Sequence, residues 1–400
     1  MRTNQQRQTA MTSDVYERLA AHLDDLPGGF TRTEGGVELR ILRRLFAPEE
    51  AEIAVHLTVI PEAARVVARR ARVPVPQAAT HLDAMDRKGL VLCTRDAHGP
   101  PRYMALQFVV GFWEAQVNRL SRELVEDVLD YEPAVIQPEH WRKAPQMRTI
   151  PVQRSIQVTN EVMPYELGEQ LVRKHTSLAV ANCICRQAMR TLGRGCEKPE
   201  ETCLTLGTAA DYVVDSGRGR KISLSETLEI LDRADETGLV LQPDNAKDPL
   251  FICTCCGCCC GVLRSFKRHP RPASIVSSPF VTRLDNGACH GCQICTKRCP
   301  MDAIRVVEKK AILDQDRCIG CGLCVSACPK QCLTLERKPN SEQANVPKTH
   351  IRSALKVAQA RGKLGIGALI KLQIQSKLDR LLACGTFDGS QPREDAPGKP

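Results

Sequence analysis

Aromatic residues make up only 4% of the 400-residue chain, so stacking platforms for nucleic-acid bases are a poor general account of it. Runs of 18 or more apolar residues are missing, and no stretch reads as a membrane-spanning helix. The opening segment, MRTNQQRQTAMTSDVYERLA, lacks the charged–apolar–small pattern of a secretory signal. It reads as a frayed terminus, and the expected compartment is the cytoplasm. Also lacking are a glycine-rich nucleotide loop, a flavin site and a hydrolytic triad, so an independent catalytic centre is not supported. What remains is 42% hydrophobic and 26% charged, ordinary for a chain of two or three domains with real cores. The net charge of +10 would attract an acidic protein surface, nucleic acid or an anionic membrane without choosing among them.

Cysteine is the feature in excess. There are 21, and all but Cys93 and Cys384 lie between Cys183 and Cys332. Disulfide scaffolds are short and exported, whereas thiols gathered at two- and three-residue spacings in a long chain point to metal.

From Cys289 the chain reads CHGCQICTKRCP, then MDAIRVVEKKAILDQDR, then CIGCGLCVSACPK. Each half is C-x-x-C-x-x-C-x-x-x-C-P, repeated at a period of 29 residues. Three thiolates on a tight loop can face one iron–sulfur cube, while the fourth opens the next helical turn and reaches the other cube. Paired zinc knuckles would instead use separated C-x-x-C pairs. Both halves resemble the bacterial two-cluster 4Fe–4S ferredoxins without a gap. The resemblance implies one cluster held by Cys289, Cys292, Cys295 and Cys328, and a second held by Cys318, Cys321, Cys324 and Cys299. Gly291, Gly320 and Gly322 would let the backbone approach inorganic sulfide. AIRVVEKKAIL reads as two strands about a Glu-Lys-Lys turn. His290 reads as a surface or supporting residue, and Cys332 as a buried small side chain.

Upstream lie two further groups: Cys183, Cys185, Cys196 and Cys203, then Cys253, Cys255, Cys256, Cys258, Cys259 and Cys260. The first four can close around one centre, and thiolate softness limits that centre to zinc or iron–sulfur. Arg186, Arg190 and Arg194 would offset its negative charge. Six thiols in eight residues cannot all face one ion, although Gly257 permits a sharp fold. A site shared between the two groups is an alternative. The pattern C-x-C-R…C…P…C-L, then C-C-G-C-C-C, then two ferredoxin motifs resembles larger bacterial 4Fe–4S-binding proteins across residues 150–335. It implies electron transfer but supplies no substrate.

The expected architecture is α+β and multidomain. Residues 1–35 read as a flexible N-terminus, and 36–135 as a winged-helix-like and helical domain. Residues 150–275 read as a cysteine-rich domain, 280–335 as the two-cluster ferredoxin domain, 348–385 as one basic helix and 386–400 as a disordered tail. In the winged-helix-like region, IPEAARVVARRAR and VPQAATHLDAMDRKG give two helices, and LVLCTRD and RYMALQF give strands around a wing tip, AHGPP. Leu82, Met85, Leu90, Leu92, Tyr103 and Leu106 form the expected core. A recognition helix would offer Gln77, Thr80, His81, Arg87 and Lys88, a modest kit for base reading. Docking or structural duty is therefore preferred to DNA binding. EAQVNRLSRELVEDVLDY reads as one amphipathic helix through Leu120, Leu124, Val128 and Tyr131. Ser223 and Glu226 suggest a capping box opening a helix that shields the metal sites. The C-terminal helix, with Leu364, Leu372, Leu378, Leu381 and Leu382 among lysines and Arg380, would dock on protein, or on a membrane surface.

The functional expectation is an electron-transfer protein or subunit, an oxidoreductase component, carrying two 4Fe–4S clusters and a further cluster or zinc at 183–260, between unidentified redox partners. Two alternatives belong to other classes. One is a redox-sensing DNA-binding regulator; the other is an iron–sulfur reductase acting at the 183–260 thiols.

Overall fold

The structure, a computed structural model, describes residues 14–95, 99–157, 161–363 and 366–384. It mixes helix and strand, as an α+β chain should. Of the expected wing tip, Ala97 and His98 lie outside the described residues, as do Leu364 and the 386–400 tail.

The segment expected to be a frayed terminus is ordered from residue 14 onward. Helix α1 (Val15–Asp24) is capped by Asp14, whose carboxylate accepts from Tyr16 N at 3.0 Å. Its Leu19, Ala20 and Leu23 are buried, because they fall at helical spacing on one apolar stripe. Phe30, also buried, meets Phe108 at 5.4 Å and Tyr131 at 5.0 Å between ring centroids. Much of the scarce aromatic content is concentrated in this one core, with Phe46, Phe112 and Trp113. Helices α2 (Val37–Leu45) and α3 (Pro48–Ala54) close over it.

Strand β1 (Glu62–Ala63) leads into α4 (Ala64–Ala71), a three-residue turn and α5 (Val75–Lys88). Gly89, at φ +77°, ends α5 in the left-handed conformation glycine adopts without cost. Strands β2 (Val91–Thr94) and β3 (Arg102–Ala105) complete an antiparallel sheet of order β1-β3-β2. Its register pairs Val91 with Ala105 and Cys93 with Tyr103, and these four are buried. Leu92 is consequently only half-buried, a correction to the expected core, because strand side chains alternate faces. Leu106 is half-buried too, though packed against the core. Helix α6 (Arg122–Val135) begins later than expected, since Ser121 caps it by accepting from Leu124 N at 3.2 Å. Helix α7 (Pro138–Lys143) follows.

The middle of the chain is built on α8 (Gly168–Val172), β4 (Leu178–Asn182), α9 (Ile184–Thr191), β5 (Glu201–Leu206), α10 (Thr208–Asp215), β6 (Gly219–Lys221), α11 (Leu224–Thr237), β7 (Val240–Pro243), β8 (Phe251–Cys255) and α12 (Gly261–Arg268). The five strands form an antiparallel sheet of order β6-β4-β5-β8-β7. Three cysteine-bearing segments, β4 with α9, β5, and β8 with α12, are therefore adjacent. Ser223 caps α11 by accepting from Glu226 N at 3.1 Å, while the Glu226 carboxylate turns to Arg220. Asp235, buried on α11, accepts from Arg154 at 2.8 Å, Arg298 at 3.0 Å and Ser326 at 2.7 Å.

The ferredoxin-like stretch carries β9 (Phe280–Leu284), α13 (Ile294–Arg298), β10 (Ile304–Val307), β11 (Lys310–Leu313), α14 (Leu323–Ser326) and β12 (Leu333–Arg337). Strand β9 pairs with β12 and β10 with β11, both antiparallel. The β10–β11 turn is Glu308-Lys309, at φ 50° and 59°, the left-handed pair that matches strand twist in two-residue hairpins.

The single C-terminal helix expected over 348–385 is two helices, α15 (His350–Ala360) and α16 (Ile366–Cys384). Gly362, at φ +71°, follows the first, whose last carbonyls accept from Gly362 N and Lys363 N. Among the described residues no helix is long and apolar enough to cross a membrane.

Candidate metal centres

The two ferredoxin loops turn through Gly291 (φ +77°), Gly320 (φ +65°) and Gly322 (φ +77°). Glycine is required on space as well as on torsion. A Cβ at Gly320 would sit 2.0 Å from Phe280 O, and one at Gly291 would sit 2.6 Å from the Lys309 backbone. The chain thereby encloses two cavities. One is lined by Cys289, Cys292, Cys295 and Cys328, the other by Cys299, Cys318, Cys321 and Cys324. Each set takes three thiols from one repeat and the fourth from the other. Backbone N–H groups point at the sulfurs: Ala311 N donates to Cys289 Sγ at 3.3 Å, and Ala303 N to Cys299 Sγ at 3.2 Å.

The cavities differ in depth. In the first, Cys292 is exposed, as is the neighbouring His290. Cys289 is held below the usual thiol range, chiefly by the Gly291 N–H. In the second, Cys318, Cys321 and Cys324 are all buried, and burial pushes the Cys321 and Cys324 thiols up. Cys332 is buried, as expected, but it also lines the first cavity, with its sulfur 3.4 Å from Cys328 Sγ. The turn after Pro329 brings it there, which spacing alone does not show.

The ten upstream thiols divide differently from their order in the sequence. Cys196 Sγ lies 4.0 Å from Cys256 Sγ and 3.6 Å from Cys259 Sγ, and Cys259 Sγ is 3.8 Å from Cys258 Sγ. All four sulfurs lie within 4.8 Å of one another. The remaining six form a chain of thiol contacts, Cys203 to Cys253, Cys255, Cys260, Cys185 and Cys183, of which Cys255 and Cys260 are buried and the others half-buried. Of Cys183, Cys185, Cys196 and Cys203, the structure thus brings Cys196 to Cys256, Cys258 and Cys259. Cys183 and Cys185 open α9 at the end of β4, and Cys203 stands in β5. The β5–β8 register, Leu204 to Ile252, continues to place Cys203 opposite Cys253. Cys196 lies on the intervening loop and meets the turn after β8 instead.

Of the three arginines expected to balance charge, only Arg186 is placed to do so. It is 1% exposed, donates to Thr254 O at 3.0 Å, and its positive charge acts on Cys183, Cys255 and Cys256. Arg190 pairs with Glu200, and Arg194 is exposed. Contacts with neighbouring thiols pull Cys253 well down, through Cys203 first, and Cys260 down to about 6, through Cys185 first. Cys256 falls to about 4, through Cys259 first and Arg186 last. Glu114 was not singled out by the sequence. Burial pushes its carboxyl up to about 8, and the negative charge of Cys253 acts in the same direction.

The upstream thiols adjoin the ferredoxin loops. A Cβ on Gly257 would lie 2.4 Å from Pro300 O, and Pro300 follows Cys299 directly. Gly257 is therefore required for this close approach rather than for the sharp turn expected of it. Cys196, Cys253 and Cys299 pack against one apolar core.

The family model described as a 4Fe-4S dicluster domain matches residues 282–341. No curated protein and no solved structure matches the chain. Residues 282–341 are a ferredoxin-type 4Fe–4S segment.

Proposed function

We propose that this chain is an iron–sulfur electron-transfer protein or subunit whose ferredoxin-type segment holds two 4Fe–4S clusters. One set of ligands is Cys289, Cys292, Cys295 and Cys328; the other is Cys318, Cys321, Cys324 and Cys299. The observation that carries this reading is the crossed lining of the two cavities, three thiols from one repeat and one from the other in each. The donor sets fit the group: four soft thiols apiece, with N–H donors aimed at Cys289 and Cys299. Such clusters, when bound, take up and release single electrons.

The chain's own residues do the rest. Gly291 and Gly320 let the backbone close on the cavities, and the N–H groups of Ala311 and Ala303 stabilise thiolate charge. Burial of Cys318, Cys321 and Cys324 keeps water from the second site, which makes added negative charge costlier there. The exposed rim at Cys292 and His290 is the face proposed to meet a redox partner. A third iron–sulfur centre is proposed among the six linked thiols, Cys183, Cys185, Cys203, Cys253, Cys255 and Cys260.

Docking duty for the helix pair α4–α5 is supported by what already occupies it. Arg218 donates from beside α10 to Asp86 O at 3.0 Å and Arg87 O at 3.1 Å. Lys88 is tied to Glu50, and Arg69 and Arg70 to Asp379 on α16.

The test is electron paramagnetic resonance of anaerobically reduced protein. Cys295→Ser and Cys328→Ser should abolish the same one of the two ferredoxin-type cluster signals, and Cys299→Ser the other. Loss of the same signal in Cys295→Ser and Cys299→Ser would refute the crossed assignment.

A further inference from the structure

The ten upstream thiols do not make one kind of site. Among the described residues, the four around Cys196 are the only group of three or more possible metal ligands whose ligand atoms all lie within 4.8 Å of one another. The two ferredoxin cavities offer an internal standard. There, four thiols surround a space, as they must if each is to reach a different corner of a cube. Around Cys196 the sulfurs nearly touch, at 3.6, 3.8 and 4.0 Å. A tetrahedral zinc ion with Zn–S bonds of about 2.3 Å sets its sulfurs about 3.8 Å apart.

We propose that Cys196, Cys256, Cys258 and Cys259 bind a single tetrahedral zinc ion, distinct from the iron–sulfur centres. Three further observations favour it. The ligands come from two separate segments, the loop after α9 and the turn after β8, as in a clamp that closes a chain crossing. Four thiolates on one dication leave two net negative charges, and the buried Arg186, whose positive charge acts on Cys256, supplies a compensating one. The clamped turn includes Gly257, packed on Pro300 beside the second ferredoxin cavity. Zinc does not change oxidation state, so its role here is to fix the distance between the six-thiol chamber and the ferredoxin loops.

This inference stands apart from the electron-transfer reading, and different elements report on each: zinc on the clamp, iron on the clusters. The experiment is metal analysis and zinc-edge X-ray absorption on the full chain purified without oxygen. About one zinc per chain, surrounded by four sulfurs at about 2.3 Å, is the expected result. Cys258→Ser, at an exposed position, and Cys196→Ser should each lower zinc more than twofold and leave iron unchanged. A loss of about four iron in these variants would show a cube instead and overturn the proposal. Zinc unaffected by both substitutions would overturn it too. Should either variant fail to fold, the spectrum of the unaltered protein decides, and oxygen or nitrogen among the zinc neighbours refutes the site.

Discussion

At Gly320 two independent demands fall on one residue. Its φ of +65° disfavours any other side chain, and a Cβ would lie 2.0 Å from a carbonyl oxygen of Phe280. Gly193 offers the contrast, with a similar φ of +71° and nothing within 4 Å. Gly193→Ala should cost about 1 kcal/mol from backbone strain alone and leave metal content unchanged. Gly320→Ala should displace the second loop and lower iron by about four per chain. Equal iron in the two variants would contradict this reading of the loop. The ferredoxin ligands were legible because their information is local: spacing alone sets which thiols share a loop. Cys332 was legible only as a buried residue, since its approach to Cys328 depends on the turn beyond Pro329.

Among the elements, α11 joins the cysteine-bearing sheet to the ferredoxin loops through one carboxylate. Asp235 is 3% exposed and accepts from Arg154, Arg298 and Ser326; Arg298 precedes Cys299, and Ser326 lies between Cys324 and Cys328. Asp235→Ala leaves the largely buried Arg298 without its carboxylate, which should cost about 3–5 kcal/mol. Anaerobic denaturant titration reads this directly, and a loss below about 1 kcal/mol would refute the role. The helix itself was readable from Ser223, its leucine spacing and Gly238. Its partners were not, because they lie 60 to 90 residues away in the chain. The same limit hid the division of the upstream thiols. Spacing grouped Cys196 with Cys183, whereas strand register pairs Cys203 with Cys253 and leaves Cys196 to the turn after β8. Nor did the sequence show the break at Gly362, since both flanks carry helical patterns.

Across the whole molecule, the described thiols between Cys183 and Cys332 converge on neighbouring regions, joined where Gly257 packs against Pro300. The N-terminal helices add a separate aromatic core, and α16 returns to them through Asp379, which binds Arg69 at 3.0 Å and Arg70 at 2.6 Å. The chain thus covers much of its candidate centres while leaving Cys292 and Cys258 exposed. The α+β class and the hairpin at Glu308-Lys309 were legible from alternation and turn chemistry; the five-strand order was not, because nonlocal pairing leaves little trace in a single sequence.

The most direct test is iron, acid-labile sulfide and zinc per chain, on protein purified without oxygen. The account predicts about twelve iron, about twelve sulfide and about one zinc: two ferredoxin-type cubes, one centre among the six linked thiols from Cys183 to Cys260, and one tetrathiolate ion. Near-zero iron and sulfide with several zinc per chain would contradict the electron-transfer reading altogether.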